Sequence, residues 1–168
     1  MTAAYGQDTA TGNLGSKTDD VYQLTYKHNL GEGFSVGGMA QTSQVPGSQL
    51  NQNLEVQGSY ALPSFNGFTL SGKVGVGEKF TTSNFSYYAV YGALDYKLMD
   101  KVTWNAVNYR YRSAFDTAAN GYQSNQIGTG VTYDINNTYA ASAKVYRNYD
   151  TSFNATGDQF MLGLTAKF

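Results

Sequence analysis

Apolar and polar residues alternate with a period of two along almost the whole chain, the pattern of β-strands with one apolar and one polar face. The clearest run is the last. Phe160, Leu162, Leu164, Ala166 and Phe168 share one face, and Gln159, Met161, Gly163, Thr165 and Lys167 share the other. Fainter counterparts recur upstream at a spacing of roughly 15 to 17 residues, and no segment carries a sustained helical period. The predicted strands run over 3–8, 22–27, 34–41, 54–62, 68–77, 87–97, 102–112, 126–135, 139–146 and 158–168. The first is weak. The seventh is ambiguous: Val107, Tyr109 and Tyr111 oppose Asn108, Arg110 and Arg112, but Val102 and Trp104 fall in the polar phase. Either a bulge shifts the register or Trp104 points to the polar side.

The connections alternate in kind. Tight turns are expected at 29–33, 63–67, 99–101 and 136–137, and mostly longer polar loops at 9–17, 44–49, 81–84, 114–120 and 150–157. Ten strands, expected to reach about 10 to 14 residues each once the flanks of these alternating stretches are included, joined by short turns on one side and longer loops on the other, predict a membrane-spanning antiparallel up-and-down β-barrel. Eight strands is the second choice of count. The whole chain, 1–168, forms a single barrel domain in this reading. The aromatic positions agree with it. Phe34, Tyr60, Phe68, Tyr96, Tyr133, Tyr139 and Phe168 lie on the apolar face near the turns; Tyr22, Tyr88, Tyr149 and Phe160 lie nearer the loops. Two aromatic girdles around an aliphatic belt suit an outward face in lipid. A soluble barrel or sandwich with these faces turned inward is disfavoured, because ten such faces exceed what a small interior can hold.

Composition narrows the classes. The chain has 15 Tyr, 19 Gly, 2 Pro and no Cys, so disulfide and thiolate chemistry are excluded. Its net charge of −1 gives no bulk attraction to nucleic acid. No apolar run is long enough for a transmembrane helix. Met1-Thr-Ala-Ala has no basic region or apolar stretch, so no leader is expected within the chain.

The closing strand with Phe168 resembles the carboxyl-terminal assembly signal of Gram-negative outer-membrane barrels. The general pattern resembles the small barrels of the opacity-protein and small-porin type. That resemblance implies residence in the bacterial outer membrane, contact with its lipid and lipopolysaccharide, and handling by the barrel-assembly machinery through Phe160, Leu162, Leu164 and Phe168.

With the apolar face in lipid, the polar phase lines a lumen. Lys27, Lys73, Lys79, Lys97, Arg110, Arg112, Lys144 and Lys167 fall there against Asp8, Glu55, Asp95 and Asp134. By distance from the turns, Lys27, Asp95, Lys97, Asp134 and Lys167 form a lower layer. Lys73, Lys144, Glu55 and Arg110 lie near the middle, and Lys79, Arg112 and Asp8 near the loop mouth. A positive wall favours a small passive channel that prefers anions, with Lys73, Arg110, Arg112 and Lys144 as its selective lining. Lumenal Gly37, Gly75, Gly77, Gly128, Gly130 and Gly163 favour open space along the wall. The alternative is a closed structural or interaction barrel, its charges paired internally, acting through its lipid face or within a larger envelope assembly. Outside, Gly38, Gly58, Gly72 and Gly92 form a lipid-facing groove on four consecutive strands. It reads as a homo-oligomer or lipid contact, or as relief of strand bending.

No catalytic set is expected. Barrel enzymes that resemble this architecture, the omptin proteases and lipid A-modifying enzymes, depend on a His near the outer half of the wall. The single His, His28, falls beside a tight turn in the outward phase. No metal ligands cluster, no nucleotide loop is present, and no cofactor is expected.

Overall fold

A computed structural model describes residues 1–12, 15–44, 50–81, 84–115, 121–151 and 154–167. It contains ten strands: β1 (Thr2–Gly12), β2 (Gly15–Gly31), β3 (Phe34–Gln44), β4 (Asn51–Ala61), β5 (Phe68–Phe80), β6 (Phe85–Met99), β7 (Val102–Ala114), β8 (Gln123–Asp134), β9 (Tyr139–Asp150) and β10 (Ala155–Ala166). Each pairs antiparallel with its neighbours, and β1 closes the barrel against β10. That seam is continuous from Thr2↔Thr165 to Thr11↔Thr156. The Thr2 and Thr165 hydroxyls hydrogen bond across its end at 2.8 Å. The weak first strand is therefore a full member of the wall.

The faces point as the alternation predicts. Leu54, Val56, Leu70, Val74, Val76, Leu162 and Leu164 are all exposed on the outside. Aromatic residues meet across strands at both ends of this belt. Near the turns, Phe34 packs on Tyr60 (ring centroids 4.6 Å apart) and Phe68 on Tyr96 (4.4 Å). Nearer the loops, Tyr5 packs on Tyr22 (5.3 Å) and Tyr88 on Phe115 (5.6 Å). Phe168 lies outside the described residues. The turn between β4 and β5 is carried by Asn66 and Gly67, whose φ values of 49° and 82° give the left-handed conformation that tight hairpins require.

Two expectations are corrected. The stretch 9–17 is not a loop: β1 continues to Gly12 and β2 starts at Gly15. Likewise β10 begins at Ala155, inside the expected 150–157 loop. The gaps between strands are two to six residues on the turn side and two to eight on the other, so the asymmetry of loop length is slight. The reason is that barrel strands continue past the hydrocarbon. There both faces meet water, and the apolar alternation that marks a strand disappears. On β1 and β2 the outward residues become Gln7, Thr9, Thr18 and Asp20. Tyr5 Oη (2.9 Å) and Gln7 Nε2 (3.3 Å) both donate to Asp20.

The ambiguity in β7 resolves as a bulge. Register shifts occur between Asn105 and Asn108 against β8, and between Leu94 and Asp95 against β6. Ala106 is the inserted residue. Trp104 is 43% exposed on the outside, while Asn105 is buried inside. The outward Thr129 hydroxyl serves the irregular backbone. It accepts from Trp104 Nε1 at 3.0 Å and donates to the Asn105 carbonyl at 3.0 Å.

Candidate functional site

The lumen is the concave, charged feature of the molecule, and its two halves differ. A layer toward the loop side is packed. Glu55 (3% exposed), Arg112 (3%) and Tyr87 (0%) are its centre. The Glu55 carboxylate accepts from Arg112 Nη2 at 3.1 Å, Tyr87 Oη at 3.0 Å, Tyr91 Oη at 2.5 Å and Gln57 Nε2 at 2.7 Å. Gln57 Oε1 in turn accepts from Lys73 Nζ at 3.0 Å, and Lys73 sits 3.8 Å over the Tyr91 ring. Arg112 reaches Met39 Sδ and stacks 5.0 Å from the Tyr87 ring. Across the lumen, Gln126 Nε2 donates to Gln159 Oε1 at 2.8 Å, both residues being buried.

The sequence places Arg112 at the mouth and Glu55 in the middle; the fold puts them in one layer. Distance from the turn misjudges height because the strands tilt, so equal counts on different strands reach different levels. The lumenal glycines are also corrected. Gly37 and Gly163 do border open space, but Gly75, Gly77, Gly128 and Gly130 do not leave open wall. A Cβ on Gly75 would lie 2.6 Å from Glu55 Oε1, and one on Gly77 would lie 2.7 Å from the Tyr87 hydroxyl. Gly128 faces the Tyr146 ring, and a Cβ on Gly130 would meet Lys144 Cγ at 2.6 Å. Gly77 pairs with Tyr87 and Gly128 with Tyr146 in register. These glycines are receptacles for large lumenal side chains.

Toward the turn side the lumen opens into a cavity of about 400 Å³. Lys27, Lys73, Arg110, Arg112 and Lys144 line it, and Asp95 is the acid on its wall. Asp95 accepts from Asn105 Nδ2 at 2.8 Å, and Asn105 Oδ1 accepts from Thr132 at 2.9 Å. A second space of about 110 Å³ adjoins it, also lined by Arg110 and Lys144.

The other predicted lining residues lie at the rims. Lys167 pairs with Asp134, and Lys97 pairs with Asp100 at 3.8 Å with both side chains more than half exposed. Lys79 stands near the loop mouth, 4.6 Å from the Tyr122 ring, and Asp8 accepts from Asn148 at 3.2 Å. Sequence reasoning missed Tyr87, Tyr91, Gln57 and Tyr146 as lumenal partners.

On the outside, Gly72 pairs directly with Gly92, while Gly58 and Gly38 step away diagonally on β4 and β3. A Cβ on Gly58 or Gly92 would meet nothing within 4 Å, so no ring covers either. His28 is exposed on β2 beside the first turn. Among the described residues no three His, Cys, Asp or Glu side chains are grouped to hold a metal.

No family model matches the chain, and no curated protein is similar to it in sequence. Solved structures are similar in fold. The translocator domain of the autotransporter NalP from Neisseria meningitidis superposes with a TM-score of 0.59 at 11% identity, covering 99% of this chain and 87% of that one. The NanC porin gives 0.57 at 11% identity, covering 99% and 100%. Neisserial surface protein A gives 0.51 at 11% identity, covering 99% and 95%. With its closed ten-stranded wall and its lipid-suited exterior, the chain shares the fold of small bacterial outer-membrane β-barrels.

Proposed function

We propose that the protein is a low-conductance outer-membrane channel that prefers small anions. The observation that supports it is the imbalance on the wall of the turn-side cavity, where Lys27, Lys73, Arg110 and Lys144 face one acid, Asp95, besides the paired Arg112 and Glu55. Basic groups around a narrow aqueous space lower the barrier for anions and raise it for cations. The buried, hydrogen-bonded Glu55–Arg112 layer would restrict the path and keep its conductance small. That a porin and a translocator domain share the fold is compatible with this reading, though at such identity they inform architecture alone.

A second reading has an observation of its own. Glu55, Arg112 and Tyr87 are buried together in the loop-side layer, and Gln126 and Gln159 are buried against each other across the lumen. A lumen packed there is closed, and the barrel then works through its exterior or within an envelope assembly. Vesicle permeability separates the two. Vesicles holding the wild-type barrel should release chloride faster than protein-free vesicles. If the wild type adds no chloride release while an Arg112→Ala/Glu55→Ala barrel does, the closed reading replaces the channel.

A further inference from the structure

Arg110 and Lys144 are the lumenal cations that line both adjoining cavities, whereas Lys27 lines the larger one alone. Lys73 and Arg112 are engaged by Gln57 and Glu55, and Lys167 and Lys97 have acids at the rim. Arg110 and Lys144 line both adjoining cavities and have no hydrogen bond or ion pair to a protein group among the described residues. Arg110 Nε and Asn108 Nδ2 are buried atoms without an acceptor. Buried donors are nearly always satisfied, and cations of one sign gathered around a narrow space raise the local concentration of anions. Asp95 is the acid on this wall; Asn105 donates to it, and its charge acts on Lys144 without an ion-pair contact.

We infer that Arg110, Lys144 and Asn108, with Lys73 beside them, form a binding site for a small oxyanion, a carboxylate or a phosphate. The guanidinium supplies a planar fork matched to two oxygens of such a group, and the ammonium supplies a point charge. The Asn108 amide adds a neutral donor. About 400 Å³ of adjoining space leaves room for an organic substituent on the anion. Chloride has the charge, but as a single atom it draws the fork's two hydrogen bonds to one point and lacks the two-oxygen match of a carboxylate or phosphate. The site rests on the channel reading for its place on a solute path, but its existence does not require conduction.

Calorimetric titration of the full barrel in detergent, with inorganic phosphate or acetate at constant ionic strength, tests it. Saturable binding of either anion above a chloride background is expected. Binding of phosphate alone assigns the tetrahedral group; binding of both assigns oxyanions generally. Arg110→Gln and Lys144→Gln should each weaken it about tenfold, while Lys167→Gln at the rim should not. Gel mobility with and without boiling reports that each barrel is folded; if Arg110→Gln does not fold, Lys144→Gln reads the same site. Absence of saturable binding to the wild type, or equal affinity in a folded Arg110→Gln or Lys144→Gln barrel, overturns the site. Binding without ion flux keeps the site and removes the channel; flux without binding does the reverse.

Discussion

Glu55 accepts four hydrogen bonds, one of them from a guanidinium as buried as itself. Removing one partner of such a pair leaves the other charge buried and uncompensated, at a cost of about 3–5 kcal/mol. Glu55→Ala should therefore lower the urea midpoint of the barrel in lipid vesicles substantially. Glu55→Leu with Arg112→Met removes both charges and should recover most of the loss. Equal destabilisation by the single and double changes would show that the pair contributes little beyond its packing. The ionic members of this layer were legible in the sequence, because Glu55, Lys73 and Arg112 fall in the polar phase. Tyr87, Tyr91 and Tyr146 fall there too, but an aromatic in a polar phase carries no sign of its partner. The usable signal was cross-strand: Gly77 opposite Tyr87 and Gly128 opposite Tyr146 match an empty position to a large one. That pairing needs the register, which alternation alone does not supply.

At the scale of the strand, period-two patterning identified all ten elements but not their ends. Where strands rise out of the hydrocarbon, outward residues such as Gln7, Thr18 and Asp20 are as polar as inward ones, so 9–17 reads as a loop. The β7 bulge was legible only as a choice between two geometries. Its outcome places Trp104, the only tryptophan, on the lipid side. Brominated lipids should quench its fluorescence strongly, whereas aqueous acrylamide should quench it weakly; the opposite order would place the indole in the lumen. Deleting Ala106 removes the inserted residue and returns 102–105 to the opposite faces, since a one-residue slip inverts every side chain. That variant should fail to form a heat-modifiable barrel. Thr129→Val leaves the indole N–H and the Asn105 carbonyl without their partner. It should cost about 1–3 kcal/mol in the same urea measurement, as expected for unsatisfied polar groups.

For the whole molecule, closure is the decisive property, since a closed wall has no sheet edge to expose in lipid. The seam places Ala4 opposite Gly163, and a Cβ on Gly163 would lie 3.6 Å from that of Ala4. This is within the usual Cβ separation of about 3.5–4.5 Å for a disulfide. Ala4→Cys with Gly163→Cys should oxidise readily in the folded barrel, in a chain that has no other Cys; a pair that stays reduced would contradict the β1–β10 register. Closure also separates charge. A net charge of −1 conceals a cavity wall on which Lys27, Lys73, Arg110 and Lys144 face Asp95, besides the paired Arg112 and Glu55, and the proposed function depends on that segregation. Planar-bilayer recording of the purified barrel in a salt gradient tests it most directly. Small unitary steps with a reversal potential on the anion-selective side are expected, moving toward zero when Arg110 and Lys144 are both changed to Gln. Absence of unitary current, or a reversal potential of the cation-selective sign, would contradict the account.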